Sequence, residues 1–113
     1  MAPEADRDGR DGGAVHVVAL ERGRVVATCR LLLDGELARL GRMAVERERR
    51  GRGLGTRVLA EGERAARSAG ATRVRLHAQT RARGLYERAG YGDEGERFIE
   101  EGIEHVAMEK RLA

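Results

Sequence analysis

Apolar residues, many of them β-branched, are concentrated in two short runs near the start of the chain, AVHVVAL at 14–20 and RVVATCRLLL at 24–33. Such runs predict β-strands, and Gly23 between them favours a tight hairpin because glycine adopts a positive φ at little cost. A second turn signal, DGEL at 34–37, precedes a third apolar run at 38–45. The pattern therefore predicts a meander of three antiparallel strands.

After a glycine-rich stretch, the spacing of apolar residues changes to the period of about 3.6 that is typical of an amphipathic helix. The apolar face of this helix consists of Leu54, Val58, Leu59, Ala65, Ala66 and Ala69. Gly62 lies inside the helix and favours close packing on a sheet, and Gly70 is suited to end it. Because the helix separates the third strand from the next apolar run at 72–78, these two strands are predicted to be parallel neighbours.

The last third of the chain predicts a second, shorter helix and a final hairpin. The helix covers 81–89 and ends at Gly90, and the hairpin covers 96–112 with EEG at its turn. Residues 1–13 contain almost nothing that a core could bury, so they are predicted to form a disordered tail ahead of one domain at 14–113. The expected fold class is α+β, with a mixed, mostly antiparallel sheet and two helices.

The composition favours a single soluble domain with a heavily charged surface. Of the 113 residues, 41% are hydrophobic and 36% are charged, and the formal net charge is +3 with Lys110 as the one lysine. Cys29 has no partner for an internal disulfide, which favours a reducing compartment. No apolar run approaches the ~20 residues of a membrane span, and 1–13 lack the apolar segment of a signal peptide, so a cytoplasmic protein without membrane contact is expected.

The stretch RRGRGLGT, at 49–56, lies where a predicted strand gives way to the long helix. Free N–H groups at a helix N-terminus point together and attract anions, so this stretch predicts a phosphate-binding loop. Its spacing differs from that of the nucleotide motifs, because the lysine of a P-loop and the third glycine of the dinucleotide fingerprint are absent. ATP and NAD are therefore poor candidate ligands.

The glycine-rich stretch contains the pattern Arg-x-x-Gly-x-Gly at Arg50, Gly53 and Gly55. This pattern resembles the pyrophosphate-binding loop of the GNAT superfamily of N-acetyltransferases. A later family segment, in which Asn-x-x-Ala-x-x-Phe-Tyr is followed by Gly and an aromatic residue, is matched at Ala82, Tyr86, Gly90 and Tyr91. Gln79 replaces the asparagine of that segment and Leu85 replaces the phenylalanine. The resemblance implies an acyl-CoA N-acyltransferase fold.

Four short stretches, LGRMAV, HAQ, LYERAGY and EEGIEHVAM, look like the ElaA-type branch of the superfamily. This similarity runs over 25–112. The order and spacing of the motifs agree with the strands and helices predicted from the apolar pattern.

The resemblance implies that acetyl-CoA is the co-substrate and that an amine attacks its thioester directly while both substrates are bound. Backbone groups of the third strand would hold the pantetheine arm, and the glycine-rich loop would hold the pyrophosphate. The residues at the implied donor-binding positions are Met43, Ala44, Val45, Arg50, Gly51, Arg52, Gly53, Leu54, Gly55, Thr56 and Gln79.

Two proton transfers are implied as well. Tyr86 matches the residue that protonates the departing thiolate. For the base that takes a proton from the attacking ammonium, His105 is the first choice, and the sequence leaves Glu101 and His77 open as alternatives. The acceptor is expected to be a small-molecule or peptide amine. The three histidines and Cys29 show no ligand spacing, so no metal is expected.

The main departure from the family is at the N-terminus, where a first strand and two helices are usual and the charged stretch 1–13 stands instead. One alternative is therefore a shortened, catalytically silent CoA-binding or subunit module. A missing layer would leave apolar sheet surface exposed, which makes a homodimer a candidate assembly. A basic nucleic-acid-binding domain is a further alternative, but the few aromatics and the interspersed acids argue against a nucleic-acid partner.

Overall fold

From Ala14 onward, the elements of the fold follow the predicted order. In the computed structural model, which describes residues 3–8 and 14–112, they are β1 (Pro3–Asp8), β2 (Ala14–Glu21), β3 (Arg24–Asp34), β4 (Leu37–Val45), α1 (Leu54–Ser68), β5 (Arg73–Gln79), α2 (Arg83–Arg88), β6 (Gly92–Glu100) and β7 (Ile103–Arg111). Single 3-10 turns at Arg47–Arg49 and Thr80–Ala82 precede the two helices. The predicted fold class, a mixed sheet with two helices, is confirmed.

The strands form one sheet in the order β1-β2-β3-β4-β5-β7-β6. Only β4 and β5 are parallel among the described strands, and every other neighbouring pair is antiparallel. The parallel pair is the one that α1 connects, as the sequence predicts. The two strand ends on which the site depends, those of β4 and β5, thus lie side by side in the middle of the sheet.

The prediction of a disordered tail over 1–13 is wrong for Pro3–Asp8, which pair with β2 as an antiparallel strand. Met1, Ala2 and residues 9–13 lie outside the described residues. Strand pairing uses backbone N–H and C=O groups, which a segment with few apolar side chains also carries. The open edge of β2 is a template for such pairing, and a reading of side-chain pattern does not detect it.

Helix α1 packs closely on the sheet because Gly62 has no side chain. A Cβ at this position would lie 2.7 Å from Cδ1 of Leu31 and 3.5 Å from Sγ of Cys29, so the predicted role of the glycine is confirmed. The largest fully buried side chains include Val17, Leu31, Val58, Leu59 and Met108, which belong to one core cluster. Within the described part of the chain, no helix is both long and apolar enough to cross a membrane.

A buried carboxylate on α1 fixes the region that follows α2. Glu63 is 7% exposed, and it accepts hydrogen bonds of 2.8 Å from the hydroxyl of Tyr91 and of 2.8 Å from Nζ of Lys110 on β7. A buried charge requires such partners to offset its loss of hydration. Since Tyr91 N–H also donates to the carbonyl of Tyr86, the network holds α2 against the rest of the fold.

Candidate active site

A cleft opens where the parallel strands β4 and β5 separate. Their pairing runs from Leu37 and Arg73 to Leu40 and Leu76, although β4 continues to Val45 and β5 to Gln79. Between its pairings with Arg30 and Thr28 of β3, β4 contains one residue more than β3 does. Arg42, which lies in this bulge, adopts a left-handed φ of 53°. Such a bulge bends a strand. The resulting cavity measures about 910 Å³, which is large for a site that binds a small organic ligand (roughly 300–1,000 Å³).

The loop between β4 and α1, residues 46–53, is called the glycine loop below. Gly51 and Gly53 have φ values of 79° and 77°, and a Cβ on either would meet no atom within 4 Å. Gly53 is the N-cap of α1, so no side chain caps the helix, and the first turn carries no acidic residue. The first N–H groups of α1 have no partner within the helix and no side-chain cap, and together with the positive end of the helix dipole they suit an anion such as a phosphate.

Two ion pairs attach the glycine loop to the hairpin between β2 and β3. Nε and Nη2 of Arg49 donate to the two carboxylate oxygens of Glu21 at 2.6 and 3.1 Å, and Arg24 pairs with Glu46 at 2.9 Å. The hydrogen bonds from Arg49 hold the pKa of Glu21 below its usual value. Arg49 is thus occupied within the protein. Arg50 instead lines the cleft, where its Nε donates to the carbonyl of Val45 at 3.2 Å.

Tyr86 reaches the cleft from α2. Its side chain is buried, and its ring meets that of Tyr91 edge-on at a centroid distance of 5.9 Å. Burial, with a smaller contribution from Cys29, raises the pKa of Tyr86 to about 12. The phenol therefore stays protonated at neutral pH and is available as a proton donor.

His105 reaches the same cleft from β7, and its side chain is 9% exposed. Its Nδ1 lies 2.7 Å from the carbonyl oxygen of Ile103. Because a carbonyl only accepts hydrogen bonds, Nδ1 carries the hydrogen and Nε2 of the neutral ring has a free lone pair. The ring of Phe98 stacks on that of His105 at a centroid distance of 5.9 Å. The geometry thus presents Nε2 as a base.

His77, Phe98, Glu100 and His105 form a group that is called the histidine cluster below. Oε1 of Glu100 lies 3.1 Å from Nδ1 of His77, and Oε2 lies 3.7 Å from Nε2 of His105. The edge of Phe98 also meets the ring of His77 at 5.0 Å. Sequence reasoning missed Glu100. The hairpin register places Phe98 opposite His105, and period two along β6 then puts Glu100 on the same face, but the apolar pattern of the sequence does not specify that register.

The structure divides the sequence-predicted site residues into two groups. Those that line the cleft are Met43, Ala44, Val45, Arg50, Gln79, Tyr86 and His105, joined by the two alternative bases His77 and Glu101. The others form the end of the glycine loop and the first turn of α1, namely Gly51, Arg52, Gly53, Leu54, Gly55 and Thr56. The side chain of Leu54 is buried in the core, so only its backbone is available to a ligand. Within the described part of the chain, no three His, Cys, Asp or Glu side chains are placed to hold a metal ion.

Comparison with known proteins places the chain among acetyltransferases. A family model described as an acetyltransferase (GNAT) domain matches residues 2–112. A Bacillus subtilis protein that is named an acetyltransferase by inference is 34% identical over 100 residues, which make up 88% of this chain and 68% of that protein.

Solved structures share the fold. An acyl-CoA N-acyltransferase from Pseudomonas aeruginosa is 30% identical, with a TM-score of 0.76 over 86% of this chain and 68% of that one. ElaA from Escherichia coli is 24% identical, with a TM-score of 0.78 over 86% of this chain and 68% of ElaA; at that identity the likeness is one of fold. The chain thus spans about two thirds of the length of these proteins.

Proposed function

Because this chain belongs to the GNAT acetyltransferase family, we propose that it transfers the acetyl group of acetyl-CoA to an amine on a small molecule or peptide. The amine attacks the thioester directly while both substrates are bound. One observation carries the proposal: the cleft between β4 and β5 lies beside an uncapped helix N-terminus and is lined by Tyr86 and His105. Among the branches of the family, the sequence motifs favour the ElaA type.

Donor binding is proposed to rest mainly on the backbone. The N–H groups of the glycine loop and of Leu54, Gly55 and Thr56 would bind the pyrophosphate, with the guanidinium groups of Arg50 and Arg52 adding charge. Beyond Leu40, β4 has no strand partner on its β5 side among the described residues. The backbone of Met43–Val45 is therefore available to the amides of the pantetheine arm, except for the carbonyl of Val45, which accepts a hydrogen bond from Nε of Arg50. Gln79, which lines the opposite wall, would add a side-chain amide.

The chemistry requires stabilisation of one developing charge and removal of two protons from the acceptor nitrogen. A backbone N–H on β4 would polarise the thioester carbonyl as negative charge develops on its oxygen. Nε2 of His105 would take one proton from the ammonium so that the neutral amine attacks, and the Tyr86 hydroxyl would protonate the departing thiolate. The Tyr86 phenolate would then take up the second proton that the nitrogen loses as the amide forms. At its raised pKa of about 12 the Tyr86 hydroxyl stays protonated at neutral pH and can donate to the departing sulfur, although a pKa above that of a thiol (about 8.5) makes it a weaker acid than an ordinary phenol.

Thermal unfolding of the whole chain with acetyl-CoA, CoA or NAD tests the donor. Acetyl-CoA and CoA should raise the melting temperature in a saturable way, corresponding to about 2.7 kcal/mol at a hundred times Kd. NAD is the matched control, because it also carries adenosine and a pyrophosphate but lacks the pantetheine arm. Equal stabilisation by NAD, or none by millimolar acetyl-CoA, would contradict the proposed donor.

Release of free CoA thiol over a panel of primary amines then tests the transfer itself, with the hydrolysis rate without amine as the background. A transferase should show amine-dependent release that saturates. Donor binding without release from any amine would instead identify the catalytically silent CoA-binding module.

Cytoplasmic location and a homodimer stay predictions, and the assembly state is measured by light scattering on the same samples.

A further inference from the structure

The two histidines of the cleft share one carboxylate. Glu100, at the end of β6, is within 3.1 Å of Nδ1 of His77 and 3.7 Å of Nε2 of His105. Its side chain is 45% exposed, whereas that of His105 is 9% exposed. The carboxylate therefore lies between a buried ring nitrogen and bulk water.

The hydrogen positions on the two rings follow from their partners. A carboxylate only accepts hydrogen bonds, so Nδ1 of His77 carries a hydrogen and donates it to Glu100. Nδ1 of His105 donates to Ile103, which leaves Nε2 as the nitrogen that takes up a proton. That nitrogen is the one that faces the second carboxylate oxygen.

From this arrangement we propose that Glu100 is a positioning residue that removes the acceptor's proton from the buried base. The inference rests on the proposed function, in which Nε2 of His105 takes a proton from the attacking ammonium. Glu100 stabilises the imidazolium that forms. Its Oε2 lies 3.7 Å from Nε2, outside hydrogen-bond distance, so the carboxylate closes on the charged ring before it accepts this proton and passes it to water, which restores the neutral ring. His77 anchors the carboxylate through Oε1 so that Oε2 keeps facing His105.

The neighbouring carboxylate provides a matched control. Glu104 lies on the same hairpin, but its Oε1 accepts hydrogen bonds from Thr80 at 3.1 Å and from Arg97 at 3.2 Å. The proposed proton path does not include Glu104. Substitution of either carboxylate by the amide preserves shape and removes the capacity to take up a proton.

Steady-state kinetics of Glu100→Gln and Glu104→Gln in the whole chain test the inference. In Glu100→Gln, kcat should fall about 10-fold, below the loss of 10²-fold or more expected when a general base itself is removed. The KM for acetyl-CoA should stay within about twofold, because the glycine loop is untouched. Glu104→Gln should match the wild-type protein. Small carboxylate buffers should restore kcat of Glu100→Gln as their concentration rises, since they substitute for the missing proton acceptor.

Contrary results separate this inference from the proposed function. A wild-type chain that binds acetyl-CoA but acetylates no amine would overturn the proposed function and this inference with it. Normal wild-type turnover with an unaffected Glu100→Gln variant, or a loss that no buffer restores, would overturn the inference alone. The geometry has its own test in ¹⁵N NMR of the neutral histidine rings. His77 should carry its hydrogen on Nδ1 and lose that preference in Glu100→Ala, and a hydrogen on Nε2 in the wild-type protein would contradict the arrangement.

Discussion

The glycine loop and the histidine cluster serve the same cleft but are built in opposite ways. The loop acts through backbone N–H groups of consecutive residues, and what matters in Gly51 and Gly53 is their conformation and their lack of a Cβ. The cluster acts through side chains that β5, β6 and β7 bring together from 77 to 105 along the chain. A site made of local backbone tolerates changes of side chain, whereas one made of distant side chains depends on strand register.

This difference predicts which substitutions affect binding of the donor and which affect chemistry. Changes in the glycine loop should raise Kd or KM for acetyl-CoA and leave the kcat of the bound complex unchanged. Changes near the histidine cluster and Tyr86 should lower kcat with donor affinity intact.

The largest effect is expected from Gly53→Val. A β-branched residue is strongly disfavoured at a φ of 77°, and the loop would relax so that its N–H groups no longer converge. CoA affinity measured by calorimetry should fall by about three orders of magnitude or more, in line with loss of several charge-assisted hydrogen bonds. Gly35→Val is the control, because Gly35 also has a positive φ, of 61°, with open space around it. Gly35→Val should lower the melting temperature comparably and leave the Kd for CoA unchanged. Equal weakening of CoA affinity in both variants would mean that the glycine loop has no special role in donor binding.

Tyr86→Phe should lower kcat about 100-fold, the range expected for loss of a general acid, with the Kd for acetyl-CoA unchanged. Tyr91→Phe is the paired control. It removes the hydrogen bond to buried Glu63 and should cost about 1–2 kcal/mol of stability with a much smaller change in kcat. A Tyr86→Phe variant with wild-type kcat would exclude the phenol as the acid.

Tyr86 should also make the fold sensitive to alkali. Its pKa in the folded protein is raised to about 12, above the value of about 10 expected for an unfolded tyrosine. Its contribution to the free energy of unfolding is therefore fully present below pH 10 and is lost as the pH rises through 12. Urea unfolding at a series of alkaline pH values should show a weaker decline in Tyr86→Phe than in the wild-type protein. Parallel declines would contradict the raised pKa.

The smallest effect is expected from Glu21→Gln, which loosens the glycine loop without touching a ligand. Loss of the ion pair with Arg49 should raise the KM for acetyl-CoA about threefold, the scale of a surface ion pair, at constant kcat. Glu61→Gln, which breaks an ion pair with Arg64 on the exposed face of α1, should leave both parameters unchanged. A drop in kcat for Glu21→Gln would show that the glycine loop and the histidine cluster are coupled, which would contradict the separation of donor binding from chemistry.

The same difference explains how much of the molecule could be predicted from its sequence. Local features could be predicted from the sequence: the turn at Gly23, the close packing at Gly62, and the strand–loop–helix order around the glycine loop each depend on a few neighbouring residues. The bulge at Arg42 was not accessible, because an arginine with a φ of 53° carries no turn signal. Pro3–Asp8 were missed because strand pairing with β2 uses backbone groups, which a pattern of apolar side chains does not report.

Within the candidate site, the sequence predicted Tyr86 but not Glu100, for the same reason. Tyr86 has a motif spacing, and the structure places it in the cleft wall as expected. Glu100 is one of many glutamates, and its meaning arises only when β6 pairs with β7 and β5 lies beside them. Contacts that depend on three strands at once require the register of the sheet, which apolar periodicity does not specify in full.

The central claim is that acetyl-CoA binds in the cleft between β4 and β5 with its pyrophosphate on the glycine loop. Backbone amide NMR during a CoA titration of the ¹⁵N-labelled chain tests this claim residue by residue. Binding in this cleft should give saturable shift changes that are largest at residues 43–45 and 51–56, and small changes on β2 away from the loop. Saturable changes centred on another surface, with those amides unmoved, would contradict it.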